Sequence, residues 1–227
     1  MKISKEFSKH AQAYESRNSI QTQVAKKLLS LVKGEPQKIV DLGCGSGAIC
    51  RNIEWDYVKF YGIDFAQGML DLHPKTAKIE LLNADFNDAK LYDMLQREQF
   101  DYILSASALQ WAEDLDSLFA HISKLATPIA FAIFTSNTFK TLHKTAAINS
   151  ILKSAQEIKT VQERYFDAKF ELCSYSLEFE TVRDMFRYIK RSGVSGARNL
   201  LGVKEMKELM RSYPLNYLEF EVVFISS

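Results

Sequence analysis

Apolar residues recur at helical spacing at Ile20, Val24, Leu28, Leu31 and Val32, and the pattern stops at Gly34-Glu35-Pro36. A glycine with a proline just beyond it is a helix terminus. The period then changes. Ile39 to Leu42, Val58 to Ile63, Ile79 to Leu82, Tyr102 to Leu104 and Ile129 to Phe134 are short, nearly continuous apolar runs. Such runs, rather than strict alternation, mark strands covered on both faces, as in a parallel sheet. The segments between them are long enough for crossover helices, so the chain up to about residue 135 reads as doubly wound α/β. After Thr138 a long helical stretch leads to a loosely alternating run, Phe170 to Phe179. Helical patterns at Val182 to Lys190 and Val203 to Met210 then precede a last strand-like run, Tyr217 to Ile225. The two late strands are expected to form an antiparallel pair closing one edge of the sheet, with the helical insert standing over a ligand cleft.

Composition narrows the function classes. Twenty-nine Lys and Arg stand against 28 Asp and Glu, a net charge of +1, which removes the global argument for a nucleic-acid binder. With 47% hydrophobic residues the chain folds rather than remaining disordered. The longest apolar runs fall well short of the roughly 18 residues a membrane-spanning helix needs. The charged start, Met1 to Glu6, has no apolar segment behind it, so no secretory signal is expected and the location implied is cytoplasmic. Cys44, Cys50 and Cys173 form no Cys-x-x-Cys pair, and His10, His73, His121 and His143 are scattered. The expectation is reduced thiols and no metal.

Asp41-Leu42-Gly43-Cys44-Gly45-Ser46-Gly47 lies at the end of the first strand and is expected to open a helix at Ala48 and Ile49. Such a loop lets the backbone approach an oxygen-rich or anionic ligand. Gly43, Gly45 and Ala48 also satisfy a dinucleotide fingerprint, so the loop alone does not choose between ligands. Asp64 ends the second strand, where a carboxylate can accept ribose hydroxyls. Asp85 ends the third, in Asn83-Ala84-Asp85-Phe86, placed to meet an adenine amino group, with Phe86 available to cover the ring. Asp41 faces the loop itself. Three carboxylates at successive strand ends suit a ligand with one ribose, one adenine and a cationic tail, and suit a pyrophosphate poorly.

This arrangement resembles the class I S-adenosylmethionine-dependent methyltransferases, whose first motif ends in the D-x-G-x-G-x-G found at Asp41 to Gly47. The resemblance implies a Rossmann-like sheet, mostly parallel, with an antiparallel strand at its C-terminal end and a small helical cap. It implies S-adenosylmethionine as cofactor. Within the loop, which includes Cys44 and Gly47, Gly43 and Gly45 would contact the methionine part. Asp64 would hold the ribose and Ala84, Asp85 and Phe86 the adenine, with Phe65 and Met69 flanking it. More narrowly, Ser105-Ala106-Ser107-Ala108-Leu109-Gln110-Trp111 carries an Ala-Leu-Gln-Trp that resembles the malonyl-acyl-carrier-protein O-methyltransferases of biotin synthesis. Phe7, Tyr14 and Gln21 are similar to that family's N-terminal segment. On this likeness Trp111 and Gln110 shape the methyl-transfer site, Ser105 belongs to the cofactor side, and Tyr14 closes over the cofactor as part of a lid. The division implied is a single domain, 1–227, with lid helices over 1–34, a cofactor-binding core over 35–180, and a cap over 181–213 before a last strand at 217–226.

Charge sharpens the substrate side. Residues 181–211 hold eight basic residues against three acidic, net +5, which leaves the rest of the chain at −4. Arg183, Arg187, Lys190 and Arg191 share one helical face, opposite Val182, Met185, Phe186 and Ile189. That face suits an acidic acyl carrier protein, and Arg183, Arg187 or Arg191 could pair with a malonyl carboxylate. The same features leave open a methyltransferase for another small acceptor and, more remotely, an NAD(P)-dependent oxidoreductase or a non-catalytic cofactor-binding protein.

Overall fold

A computed structural model describes residues 19–125, 127–192 and 203–227. The expected lid residue Tyr14 therefore lies outside the described residues, as do the side chains of Lys190 and Arg191.

Seven strands form one sheet in the order β3-β2-β1-β4-β5-β7-β6. They are β1 (Lys38–Leu42), β2 (Lys59–Asp64), β3 (Ile79–Asn83), β4 (Tyr102–Ala106), β5 (Ile129–Phe134), β6 (Lys169–Glu178) and β7 (Tyr217–Ser226). β1 to β5 pair in parallel, while β7 runs antiparallel to both β5 and β6. The mostly parallel sheet with an antiparallel C-terminal strand is the architecture expected.

Alternation along the strands explains why both faces are covered. In β1, Ile39 packs in one apolar cluster while Val40 and Leu42 pack in the other. Helix α1 (Ser19–Leu29) sets Ile20, Val24 and Leu28, all fully buried, on the Ile39 face. On the opposite face, α4 (Leu115–Ser123) sets Leu118, Phe119 and Ile122 against Val40, Ile103 and Phe131. Each such buried side chain contributes about 2 kcal/mol of hydrophobic stabilisation. Asp114 caps α4 by accepting from the Asp116 and Ser117 amides. The remaining elements are α2 (Gln67–Leu70), α3 (Ala89–Leu95), α5 (Lys140–Thr145), α6 (Ala155–Tyr165), α7 (Val182–Ser192) and α8 (Val203–Ser212). The long helical stretch expected after Thr138 is thus two helices, α5 and α6; Ser154 restarts the second with a reciprocal cap to Glu157.

The glycine loop does not open the expected α-helix. Gly43, Gly45 and Gly47 all have positive φ, so helical geometry cannot start before Ala48. Turns and a three-residue 3-10 helix, Cys50–Asn52, instead lead the chain back to β2.

α7 and α8 pack on the sheet rather than on the mouth of the cleft. Met185, Tyr188, Leu209 and Tyr213 are buried in the cluster that holds Leu218 and Phe220 of β7. Phe186 meets Tyr213 edge-on, ring centroids 5.9 Å apart.

Candidate functional site

The strand order places β1 between β2 and β4, and the chain turns outward in opposite directions on the two sides of β1. Ligands of open α/β sheets sit outside the carboxyl ends of the strands at such a switch point. There the loops after β1, β2 and β4 border an open cleft.

One wall is the glycine loop and the end of β2. Asp64, 8% exposed, accepts the Gly45 amide at Oδ2 (2.9 Å) and the Ala66 amide at Oδ1 (2.8 Å). Burial pushes its carboxyl up to about 6 against these two hydrogen bonds, which favour the ionised form. Each oxygen keeps a lone pair for a hydroxyl donor. Phe65, Met69 and Phe86 line this end. Gly43 is required by a close approach: a Cβ there would lie 2.2 Å from the Ala108 Cβ. The two loops therefore touch across the missing side chain.

The other wall is the turn after β4. Ser107 is held at φ 63°, with its amide donating to the Ala132 carbonyl (2.9 Å) and its carbonyl accepting from Gln110 Nε2 (2.6 Å). Leu109–Trp111 form a 3-10 turn, and Trp111 lines the cleft.

The structure brings Gly43, Cys44, Gly45, Asp64, Phe65, Met69, Phe86 and Trp111 together around the cleft. Other expected residues are not among the described lining residues. Ser105 is fully buried and donates to the Leu42 carbonyl (2.6 Å), tying β4 to β1. Gly47 accommodates Pro74, whose Cδ would lie 2.6 Å from an added Cβ. Asp85 is exposed and its Oδ1 accepts from the Asn87 amide and side chain; the amide of its neighbour Ala84 donates to the Asp64 carbonyl (3.2 Å). Gln110 braces Ser107 from behind. Arg183 and Arg187 are exposed on α7, with Arg187 Nη1 2.6 Å from Asp184, and no described residue of α7 or α8 lines the cleft.

Gln21 is not among the site residues that the motifs imply, yet it lines the cleft, 5% exposed, with Oε1 unpartnered. Its signal in the sequence is a polar side chain on the apolar face of α1. Asp41, 1% exposed, likewise has Oδ1 unpartnered, and burial with the nearby Asp64 charge raises its carboxyl well above the ordinary range. Unpartnered buried acceptors are costly in isolation; the Gln21 oxygen, which lines the cleft, fits a cationic donor group, whereas the expected Asp41 lies beneath the loop and is not among the described lining residues. Together with Asp64 and the aromatic and Met lining near it, the Gln21 oxygen meets the requirements of S-adenosylmethionine: ammonium, ribose and adenine. Cys44 and Asp64 are the acidic groups among the described lining residues, and burial pushes the Cys44 thiol up, so it stays protonated.

Comparison with known proteins agrees with this geometry. Residues 40–131 match a family model described as a methyltransferase domain. A malonyl-[acyl-carrier protein] O-methyltransferase of Anoxybacillus flavithermus is 26% identical over 96% of this chain and 90% of its own. The biotin biosynthesis bifunctional protein BioHC of Saccharophagus degradans is 30% identical over 60% of this chain, a match that spans only 24% of that longer protein. Among solved structures, a Haemonchus contortus phosphoethanolamine N-methyltransferase in complex with S-adenosylhomocysteine shares the fold, with a TM-score of 0.53 and 16% identity over 88% of this chain and 52% of that one. An oxidoreductase or non-catalytic reading has no support in these relatives. Sheet order, glycine loop and relatives converge on an S-adenosylmethionine-dependent methyltransferase.

Proposed function

We propose that this enzyme methylates the free carboxylate of a malonyl thioester carried on an acyl carrier protein, in biotin precursor synthesis. The observation that carries the reading is the likeness, over 96% of the chain, to a protein named for that reaction. The Leu109-Gln110-Trp111 turn at the cleft supports it.

The cofactor supplies a methyl group already activated on a sulfonium. Asp64 accepts the ribose hydroxyls while its own hydrogen bonds to Gly45 and Ala66 fix its position. Phe65, Met69 and Phe86 cover the adenine. Gln21 faces the ammonium. A carboxylate acceptor is ionised at neutral pH, so the protein's task is alignment and exclusion of water rather than proton removal. Trp111 supplies an apolar wall for this, and Gln110 holds the turn that carries it.

The reading treats 1–227 as one domain: a lid over 1–34 that includes Tyr14, a cofactor-binding core over 35–180, and a basic cap over 181–213 that docks the acidic carrier through Arg183, Arg187 and Arg191. It places the reaction in the cytoplasm, where Cys44, Cys50 and Cys173 stay reduced. Incubation with methyl-labelled cofactor and malonyl-carrier protein, beside malonyl-coenzyme A, is expected to give a carrier-bound methyl ester. Cofactor binding without transfer to malonyl-carrier protein overturns the proposal. One observation favours a different small acceptor: the described arginines of α7 do not line the cleft. A carrier reaction indifferent to salt and to Arg187→Glu would point there.

A further inference from the structure

We infer that the Ser107 hydroxyl is an anchor for the acceptor's carboxylate, and so a specificity-determining residue. This rests on the carboxylate reading above. Four observations converge on it. Ser107 lines the cleft beside Ala106 and Trp111. Its Oγ is buried and has no hydrogen-bond partner, although a serine hydroxyl in a loop ordinarily finds a backbone group to bond. Its backbone is held from both sides, by the Ala132 carbonyl and by Gln110 Nε2. Its φ of 63° lies in the left-handed region that non-glycine residues adopt at a cost. A glycine would meet this backbone demand more easily, so the side chain, not the conformation, is what serine contributes.

Position assigns the donor to the acceptor. Across the sheet the order is β2, β1, β4, so Ser107 stands across the glycine loop from Asp64, at the end of the cleft that the ribose does not occupy. Among the described lining residues at that end, Gln21 offers an unpartnered acceptor oxygen and Ser107 an unpartnered hydroxyl. An O–H aimed at a carboxylate forms a short, charge-assisted hydrogen bond. It takes one acceptor oxygen and leaves the other to attack the methyl group. No proton is transferred: the hydroxyl donates a hydrogen bond and keeps its hydrogen.

The test uses Ser107→Ala and Ser107→Gly together. Both lose the hydroxyl, and only glycine relieves the left-handed backbone. In both, KM for malonyl-carrier protein is expected to rise about tenfold, with the dissociation constant for S-adenosylmethionine unchanged by calorimetry. Full activity in Ser107→Gly with loss in Ser107→Ala would show that only loop conformation matters and overturn the assignment. A weakened cofactor constant with KM unmoved would overturn it too, placing the hydroxyl on the methionine carboxylate. If wild-type protein does not methylate malonyl-carrier protein, the function proposed above fails by itself. Sodium malonate titrated into the S-adenosylhomocysteine complex then decides for Ser107. Binding that weakens about tenfold in both variants sustains a carboxylate anchor; no binding, or equal binding, rejects it.

Discussion

Both walls of the cleft are turns at the carboxyl ends of parallel strands, yet the polar side chains that line them, Asp64 on one and Ser107 on the other, are partnered in opposite ways. On the β1–β2 wall the key carboxylate is already engaged, with each Asp64 oxygen accepting a backbone amide. On the β4 wall Ser107 Oγ and Gln110 Oε1 are buried without partners. The first wall is organised by its own hydrogen bonds before any ligand arrives. The second keeps hydrogen-bonding capacity in reserve and is held by packing and by the Gln110 brace. The contrast fits a site in which one wall holds the same cofactor every turnover and the other selects the molecule to be methylated.

The sharpest way to break this comparison is at the point where the walls touch. Gly43→Ala places a Cβ 2.2 Å from the Ala108 Cβ at a backbone φ of +74°, and it should destabilise the fold by about 2–4 kcal/mol while abolishing cofactor binding. Gly34 provides the control, since its φ is +70° with nothing within 4 Å of an added Cβ. Gly34→Ala should cost only about 1 kcal/mol. Urea unfolding of the pair separates loop contact from backbone strain, and equal losses would refute the contact.

Next comes Asp64. Asp64→Ala removes the acceptor for two amides together with the proposed ribose contact, and cofactor affinity should fall by about a hundredfold or more. The pH dependence has a definite sign. In the folded protein burial raises the carboxyl from 3.8 to about 6, so the folded state binds the proton more tightly than the unfolded chain. The ionised form therefore costs the fold on the order of 3 kcal/mol above pH 6, and this cost disappears as the pH drops from about 6 to about 4. Affinity for the cofactor should move the other way, rising through pH 6 as the carboxylate forms. Asp64→Asn should flatten both profiles; a wild-type binding profile already flat between pH 5 and 7 would contradict this.

On the β4 wall the brace is the smaller lever. Gln110→Ala frees the Ser107 carbonyl and should lower kcat/KM about tenfold, leaving the cofactor dissociation constant within twofold. An equal loss in cofactor binding would mean the two walls are one unit.

The same contrast explains which features are legible in the sequence. The parallel strands are visible because each carries a nearly continuous apolar run, and β5 matches its run, Ile129 to Phe134, residue for residue. Asp64 and the glycines are visible because a fixed cofactor demands fixed spacing. The crossover after β1 departs from the expected helix because the chain turns extended at Ile53, after only a three-residue 3-10 turn. Ser105 and Gly47 lie inside a motif but face the sheet and Pro74 instead, which spacing along the chain cannot reveal. Gln21 shows in the sequence only as a polar side chain on the apolar face of α1, and Ser107 becomes a candidate when burial shows its hydroxyl left without a partner.

The smallest expected effect lies on the basic helix, outside both walls. Arg187 is exposed and paired with Asp184 one turn away, Nη1 to Oδ1 2.6 Å. Asp184 also accepts from Thr181 Oγ1, whose oxygen in turn takes the Asp184 amide, so the helix start is secured without the arginine. Arg187→Glu should therefore change stability by no more than about 0.5 kcal/mol, as exposed pairs do. On the proposed docking, its effect on a carrier protein is expected to be a long-range charge effect. KM for malonyl-carrier protein should rise roughly threefold at low ionic strength and return to the wild-type value near 0.5 M salt, where the screening length is only a few Å. Malonyl-coenzyme A, lacking the carrier's acidic surface, should show neither change. A salt-independent rise seen with both acceptors would instead put Arg187 in contact with the malonyl group, and the reserve of polar capacity would then extend from the β4 wall to α7.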